Sequence, residues 1–182
     1  MIVSLVGFRG AGKSTVGRLA AARLGASFLD SDEAIVAAAG GTSVAALFER
    51  EGEGGFRRRE EEALESLLGR PPAGGRAVLA TGGGAVLSSV NRERMRAAGL
   101  VFWLDAAAAT LRERIASDPA TAANRPALRG GAGGDALAEI EEILAAREPL
   151  YRAAAHERIV VDGRSAEAVA DEVVLLLRAR AR

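Results

Sequence analysis

The stretch "GFRGAGKSTVG", residues 7–17, follows directly on the apolar run "MIVSLV". It fits the pattern G-x-x-x-x-G-K-[ST], with Gly7, Gly12, Lys13 and Ser14 at the fixed positions. Glycine permits positive φ angles and brings bare N–H groups close to a ligand, and the start of the following helix attracts anions. Lysine supplies positive charge for the outer phosphates, and the serine hydroxyl is a ligand for Mg²⁺. The stretch therefore predicts a strand, a phosphate-binding loop and a helix that together bind a nucleoside triphosphate.

The composition favours one domain that does not bind nucleic acid. With 182 residues the chain can bury a substantial core, so we expect a single domain over residues 1–182. The 24 basic residues balance the 24 acidic ones, whereas nucleic-acid-binding proteins usually carry a basic excess. The absence of cysteine excludes disulfides and thiolate metal sites. No apolar run reaches membrane-spanning length, and residues 7–15 do not form a signal-peptide core, so we expect a cytoplasmic protein without a membrane partner.

Apolar periodicity predicts strands that alternate with helices. Strands are expected at residues 2–6, 27–32, 76–84 (running into a glycine turn), 100–105 and 158–162. Helices are expected at residues 13–24, 33–39, 42–51, 56–68, 89–97, 107–117, 135–148 and 165–180. A long loop with two prolines and four glycines is expected at 118–134. The alternation predicts an α/β fold with a parallel sheet covered on both faces, and the apolar stretch "LVFWLD" (100–105) is expected in its interior.

Chemically distinctive residues follow three of the predicted strands at their carboxyl ends, where parallel sheets bind ligands. These groups are residues 7–14, the pair Asp30 and Asp32, and Gly82–Gly84. Mg²⁺ commonly takes one or two carboxylates together with phosphate oxygens and water. One aspartate is therefore a candidate for holding the metal's water, and the other for a general base that accepts a hydroxyl proton. The alternative is that Ser31 or Asp32 only caps the next helix.

Two arginines each allow two interpretations, and a third has a simple structural explanation. Arg57, three residues before Glu60, either belongs to a solvated helix face or forms a rigid fork for a carboxylate. Arg147 is predicted in the last turn of its helix, where a cation suits the helix dipole. Arg125 lies in the glycine-rich loop and either contacts phosphate when the loop closes as a lid or remains in solvent. His156, the only histidine, is expected at the surface or at a strand edge, without an evident partner.

Six stretches of the chain together resemble the shikimate kinase family, across essentially the full length. They are "GFRGAGKSTVG" (7–17), "FLDSD" (28–32), "EGEGGFRRRE" (51–60), "TGGGAV" (81–86), "NRPAL" (124–128) and "REPLYR" (147–152). The resemblance implies a P-loop NTPase fold like that of nucleoside monophosphate kinases, with a five-stranded parallel sheet of order 2-3-1-4-5 flanked by helices. It also implies a substrate-binding helical segment at about 31–62 and a lid at about 118–134. The implied reaction is Mg²⁺-dependent transfer of the γ-phosphoryl group of ATP to the 3-hydroxyl of shikimate, a step of chorismate and aromatic amino-acid biosynthesis, by a monomer.

The resemblance also implies roles for individual residues, with Lys13, Asp32 and Arg125 as catalytic groups. The implied nucleotide-binding residues are Gly10, Ala11, Gly12, Lys13, Ser14, Thr15, Arg114, Arg125 and Arg164. The implied shikimate-binding residues are Asp32, Arg57, Gly83, Gly84 and Arg147. Mg²⁺ would be bound by Ser14 and, through water, by Asp30, and Glu60 would orient Arg57.

Two other functions compete with this interpretation. A kinase for another small anionic polyol, such as gluconate, would share the phosphate loop and the Mg²⁺ chemistry. A nucleotide-sensing module without turnover would be expected to have lost Lys13, Asp32 or Arg125, and this chain has all three. A GTPase is disfavoured because the chain has no guanine-reading N-K-x-D stretch.

Overall fold

The computed structural model of the chain describes residues 1–69, 73–117 and 136–180. Its strands are β1 (Ile2–Val6), β2 (Ser27–Asp30), β3 (Ala77–Ala80), β4 (Gly99–Asp105) and β5 (Glu157–Val160). Its helices are α1 (Lys13–Leu24), α2 (Ser31–Ala38), α3 (Val44–Gly69), α4 (Ser89–Ala98), α5 (Ala108–Ser117), α6 (Ala136–Ala154) and α7 (Ala166–Arg180), with short 3₁₀ turns at Ala73–Gly75 and Ala85–Leu87. Among these described helices, each is too short or too polar to cross a membrane. The predicted lid, 118–134, with its Arg125, lies outside the described residues.

The five strands form one parallel sheet in the order β2-β3-β1-β4-β5. Leu5 of β1 lies opposite Ala80 of β3 on one side and opposite Phe102 of β4 on the other. This register brings the carboxyl ends of β1, β2 and β3 to one edge of the sheet. The predicted α/β fold and the strand order 2-3-1-4-5 are therefore confirmed.

Both faces of the sheet are buried. Val3 and Leu5 of β1 pack with residues of α1 and α7 on one face, whereas Val6 packs with Trp103 and Tyr151 on the other. All five residues of β1 are buried. A strand covered on both faces has no polar side, which explains why this stretch is almost continuously apolar in the sequence.

Two helix predictions need correction. The helix expected to end at residue 148 continues through Pro149 to Ala154. A proline removes only one backbone donor, and the burial of Tyr151 and Ala154, which are 1% and 0% exposed, stabilises the turns that follow it. Arg147 therefore does not lie in the last turn of its helix. The helices expected at 42–51 and 56–68 are nearly continuous in α3 and are separated only at Gly52, where φ is 68° and ψ is 179°.

Two strand ends also differ from the prediction. β2 ends at Asp30, so that Asp32 lies in the first turn of α2 instead of on the strand. β5 spans Glu157–Val160, shifted toward the N-terminus relative to the expected 158–162. The shift brings His156 next to β4, where its Nδ1 accepts a hydrogen bond from the Val101 N–H at 3.0 Å. His156 therefore lies at a strand edge, as expected, and its partner was not evident from the sequence because the two residues are 55 positions apart.

Candidate functional site

The phosphate loop between β1 and α1 depends on its glycines. Gly7, Gly10 and Gly12 have φ angles of 145°, 82° and 89°, a region that side chains with a Cβ atom rarely enter. The Lys13 ammonium donates hydrogen bonds to the carbonyl oxygens of Gly7 and Phe8, both at 2.8 Å. Lys13 is 6% exposed, so its charge is held under the loop. Because Gly12 has no side chain to cap α1, the first amides of the helix suit an anion.

Asp30 joins the phosphate loop to α2. Its Oδ2 accepts a hydrogen bond from the Ser14 hydroxyl at 2.7 Å. Its Oδ1 accepts from the backbone N–H of Asp32 at 2.9 Å and of Glu33 at 3.4 Å, which makes Asp30 the N-cap of α2. The sequence suggested a cap at Ser31 or Asp32, whereas the structure places it at Asp30. Capping and contact with the loop are combined in one carboxylate.

The oxygens of Ser14 and Asp30 fit a magnesium ion. Both are hard oxygen donors, and they lie together beside a loop that suits phosphate. In the described part of the chain, no three His, Cys, Asp or Glu side chains come together as a metal site. Mg²⁺ usually keeps several waters and binds through one or two protein groups plus substrate phosphates, so this donor set suits it better than a metal that needs a full protein cage.

A cavity of about 560 Å³ lies beside the loop at the same edge of the sheet. Its polar lining includes the predicted residues Asp32, Arg57, Gly83, Gly84 and Arg147, together with Arg9, Glu53, Glu60, Gly82, Glu139 and Glu142. Its apolar lining consists of Phe8, Val44, Phe48, Phe56, Leu87, Ile143 and Ala146. The cavity therefore combines positive and negative side chains with an apolar wall, a combination that suits a small polar ring.

Arg57 enters this cavity as part of an ion pair with Glu60. Its Nη1 donates to Glu60 Oε2 at 2.7 Å, and its Nη2 lies 3.5 Å from Glu53 Oε1. Glu60 is 1% exposed, and this burial raises the pKa of its carboxyl above the ordinary value although Arg57 opposes the shift. The Arg57 Nε is also buried and finds no hydrogen-bond partner among the described residues. The guanidinium is therefore oriented mainly by the buried Glu60 carboxylate while it lines the cavity.

The glycines at 82–84 form a tightly packed turn beside the cavity. Unlike the phosphate-loop glycines, they do not have positive φ angles. A Cβ atom at Gly82 would lie 2.7 Å from Glu60 Oε1 and 2.8 Å from Asp32 Oδ1, and one at Gly84 would overlap the Arg57 guanidinium. The turn thus brings bare backbone against the charged groups of the cavity.

The carbonyl oxygen of Gly83 is shared by two side chains of α6. It accepts a hydrogen bond from Arg147 Nη1 at 3.2 Å and from the Tyr151 hydroxyl at 2.9 Å. The Arg147 guanidinium also lies over the Phe8 ring, 5.8 Å from its centroid. Sequence reasoning did not assign Tyr151 to the site. The available signal was its spacing, because residues four apart share one face of a helix.

A second cavity, of about 200 Å³, lies on the other side of the phosphate loop. It is lined by Ala11, Gly12, Thr15, Val16, Arg114, Val161, Arg164, Ala166 and Val169. Arg114 Nη1 donates to the Gly10 carbonyl at 3.4 Å. Arg164 is held by Glu172 at 2.5 Å and by the carbonyls of Val160 and Ala168. Of the predicted residues, the first cavity thus gathers Asp32, Arg57, Gly83, Gly84 and Arg147, and the second gathers Ala11, Gly12, Thr15, Arg114 and Arg164. Gly10, Lys13, Ser14 and Asp30 lie in or beside the phosphate loop and line neither cavity.

Comparisons with known proteins identify the family. The shikimate kinase family model matches residues 9–178. A shikimate kinase of Symbiobacterium thermophilum is 46% identical over 180 residues, covering 99% of this chain and 98% of that protein. The chain belongs to the shikimate kinase family.

Other family members support the same assignment. The shikimate kinase of Dechloromonas aromatica is 44% identical over 161 residues, which cover 88% of this chain and 80% of that protein. The structure of shikimate kinase from Acinetobacter baumannii in complex with shikimate superposes with a TM-score of 0.88 at 36% identity, covering 98% of this chain and 93% of that one. The family resemblance found in the sequence is therefore confirmed.

Proposed function

We propose that this chain transfers the γ-phosphoryl group of ATP to the 3-hydroxyl of shikimate, giving shikimate 3-phosphate and ADP, in the biosynthesis of chorismate and aromatic amino acids. The observation that carries the proposal is the cavity beside the phosphate loop, where Arg57, Arg147 and Asp32 converge in a chain of this family. The lining of this cavity complements a carboxylate, several hydroxyls and an apolar ring face.

The acceptor carboxylate binds to Arg57 and Arg147. Glu60 holds Arg57 at 2.7 Å, and the Gly83 carbonyl holds Arg147 at 3.2 Å, so both guanidiniums are oriented before the substrate arrives. Both guanidiniums also line the cavity, where a substrate carboxylate can reach them. Planar guanidiniums match carboxylate geometry in a way that lysine does not, which favours an anionic acceptor.

Asp32 acts as the general base in this proposal. The acceptor hydroxyl oxygen forms a bond to the γ-phosphorus while the bond from that phosphorus to the β–γ bridging oxygen breaks. The hydroxyl proton passes to the Asp32 carboxylate, and the leaving group is ADP. Asp32 lines the acceptor cavity beside Gly82, and the two arginines line the same cavity. A ring whose carboxylate is bound by the arginines would present a hydroxyl to the Asp32 carboxylate.

The nucleotide binds along the phosphate loop. The backbone amides of residues 10–15 and the Lys13 ammonium hold the β- and γ-phosphates, and Arg114 and Arg164 flank the base in the second cavity. Ser14 and, through water, Asp30 hold Mg²⁺, which when bound neutralises charge on the phosphates. Following the family resemblance, Arg125 adds positive charge to the transferring group from the proposed lid at 118–134, within a single domain that works as a cytoplasmic monomer.

Coupled ADP release with shikimate, gluconate and quinate, each with ATP and Mg²⁺, tests this function. We expect turnover with shikimate that exceeds turnover with the other two acceptors by at least a factor of about ten. Faster turnover with gluconate would move the protein to the competing polyol-kinase function. Folded protein that releases no ADP above the acceptor-free background would contradict a catalytic role.

A further inference from the structure

Tyr151 is buried in the protein and lies one helical turn beyond Arg147 on α6. It is 1% exposed, and its ring stacks on Trp103 with centroids 5.5 Å apart and planes inclined by 15°. The stack holds the ring against β4 in the core. The hydroxyl at the end of this fixed ring points to the site and donates to the Gly83 carbonyl at 2.9 Å.

The Gly83 carbonyl is a shared acceptor, and this couples Tyr151 to Arg147. Arg147 Nη1 donates to the same oxygen at 3.2 Å. Arg147 is half-open to the cavity, so its guanidinium is mobile unless an acceptor fixes it, whereas the Tyr151 ring cannot move without disturbing the core. Gly83 has no side chain to hold its peptide plane. The tyrosine hydroxyl is therefore the rigid contact that sets where the carbonyl oxygen lies.

We propose that Tyr151 is a positioning residue for acceptor binding: its hydroxyl fixes the Gly83 carbonyl and, both through that oxygen and by its own contact with the guanidinium, it fixes Arg147, so that Arg147 and the glycine turn receive the acceptor carboxylate and ring. The inference rests on the proposed function, since it concerns the same cavity. It assigns no contact between Tyr151 and the substrate. The effect reaches the substrate only through Gly83 and Arg147.

The chemistry of the hydroxyl agrees with this role. Burial raises the pKa of Tyr151 to about 12, well above the ordinary tyrosine value of 10.0. The hydroxyl therefore remains a hydrogen-bond donor at every pH at which the protein is expected to work. An ionised tyrosine would instead repel the Gly83 carbonyl and release the turn.

The variant Tyr151→Phe tests the proposal because it removes the hydroxyl and keeps the stacked ring. We expect the KM for shikimate to rise about three- to tenfold, which is the effect of losing one neutral hydrogen bond. The KM for ATP should be unchanged and kcat should stay within about twofold, because the phosphate loop is not involved. The Kd of shikimate without nucleotide, measured by calorimetry, should rise by the same factor as the KM.

Arg96→Gln is the matched control. Arg96 Nη1 donates to the carbonyl of Ala154 at 3.1 Å, at the C-terminal end of the same helix and away from the cavity. This variant should lower the thermal midpoint at least as much as Tyr151→Phe and leave the KM and Kd for shikimate unchanged. A rise in the KM for shikimate in both variants would mean that Tyr151 acts only through the stability of α6, and the proposal would be wrong.

A double-mutant cycle with Arg147→Lys tests the coupling itself. If both side chains act through the Gly83 carbonyl, the fold-increase in the Kd of shikimate in the double variant should be smaller than the product of the two single fold-increases. We expect the difference to be about threefold or more. Independent effects that multiply, or a Tyr151→Phe protein with wild-type Kd and KM for shikimate, would overturn the inference. Wild-type protein that neither binds nor phosphorylates shikimate would instead overturn the proposed function, so the two failures are distinguishable.

Discussion

Lys13 of the phosphate loop bonds to carbonyls within one short stretch of chain, whereas the acceptor cavity assembles side chains from distant elements. The two hydrogen bonds of Lys13 reach carbonyls five and six residues away. The two bonds to the Gly83 carbonyl come from residues 64 and 68 positions away. Local backbone geometry therefore shapes the nucleotide end of the site, and tertiary packing shapes the acceptor end. Substitutions at the two ends should consequently have separable effects on ATP and on shikimate.

Replacing Lys13 with alanine should give the largest effect. The substitution removes the positive charge that stabilises the transferring phosphoryl group, so we expect kcat to fall by about 10³-fold. The Kd of shikimate should change little, because Lys13 is not among the described residues that line the acceptor cavity. Steady-state kinetics and circular dichroism check the loss of rate in a folded protein. Arg18→Ala, an exposed position on the same helix, is the control and should stay within about twofold of the wild-type rate.

Replacing Asp32 with asparagine should give the next largest effect. The variant keeps the shape of the side chain and removes its basicity, so kcat should fall by about 10²-fold while the KM values for ATP and shikimate change little. Pre-steady-state and steady-state measurements of ADP release check this. Asp30→Asn should differ from it by raising the Mg²⁺ concentration needed for half-maximal rate. Identical responses of the two variants to added Mg²⁺ would contradict the division of roles between the aspartates.

Replacing Glu60 with glutamine should affect the acceptor end alone. Arg57 loses the buried charge that orients it, so we expect the KM for shikimate to rise about tenfold with the KM for ATP unchanged. Glu62→Gln, on an exposed position of the same helix, should leave both values unchanged. An equal rise in both KM values in Glu60→Gln would break the proposed separation between the two ends.

The pH dependence of the same pair sharpens this prediction. Burial raises the pKa of Glu60, so the carboxylate takes up a proton at a higher pH than an ordinary glutamate does. As the pH falls through this raised pKa, the ion pair with Arg57 is lost and the wild-type KM for shikimate should rise, whereas Glu60→Gln should show no such rise. The folded state binds this proton more tightly than the unfolded chain does. Hence the free energy of unfolding of the wild type, relative to Glu60→Gln, should increase as the pH falls through the raised pKa.

Replacing Glu51 with glutamine should give the smallest effect. Arg59 binds Glu51 across the break at Gly52, through Nε to Oε2 at 2.6 Å and Nη2 to Oε1 at 2.9 Å. These bonds and those from Arg50 lower the pKa of Glu51 to about 2, from an ordinary 4.5. The lowered pKa means that the stabilisation is present at neutral pH and is lost as the pH falls from about 5 to about 2.

Thermal or urea unfolding of Glu51→Gln and wild type across this pH range checks the prediction. The difference between the two proteins should be largest at neutral pH and should disappear at the acid end. The KM for shikimate should stay within about twofold of wild type, because the Glu51–Arg59 ion pair joins the two halves of α3 and neither residue lines the cavity. Glu148→Gln, in the exposed pair with Arg152, is the control for a surface ion pair. A constant difference at every pH would exclude the carboxylate as its origin.

Much of the fold was predictable because its signals are local. The alternating apolar runs predicted the parallel sheet and its flanking helices, and the glycines, lysine and serine of residues 7–17 predicted the loop. The extension of α6 through Pro149 was not predictable in this way. The cost of a proline inside a helix is visible in the sequence, but the burial of Tyr151 and Ala154 that offsets it exists only in the folded protein.

The roles of the two aspartates show the same limit. The strand predicted at residues 27–32 included both Asp30 and Asp32. In the structure the chain turns into α2 at Asp30, which caps the helix and binds the Ser14 hydroxyl, while Asp32 lines the acceptor cavity. Where a strand gives way to a helix depends on which backbone amides find a partner, and here that partner is the Asp30 side chain itself.

The sequence by itself determined the phosphate loop, the alternation of strands and helices, and the family to which the chain belongs. These features depend on residues close together along the chain, whose conformational preferences act without help from the rest of the molecule. Only the tertiary structure decided that Glu60 is buried beside Arg57, that the backbone at Gly82 and Gly84 lies against charged side chains, and that Tyr151 and Arg147 share the Gly83 carbonyl. Those contacts join elements far apart in the chain, and they form because packing on the sheet brings α3, α6 and the turn after β3 to the same edge.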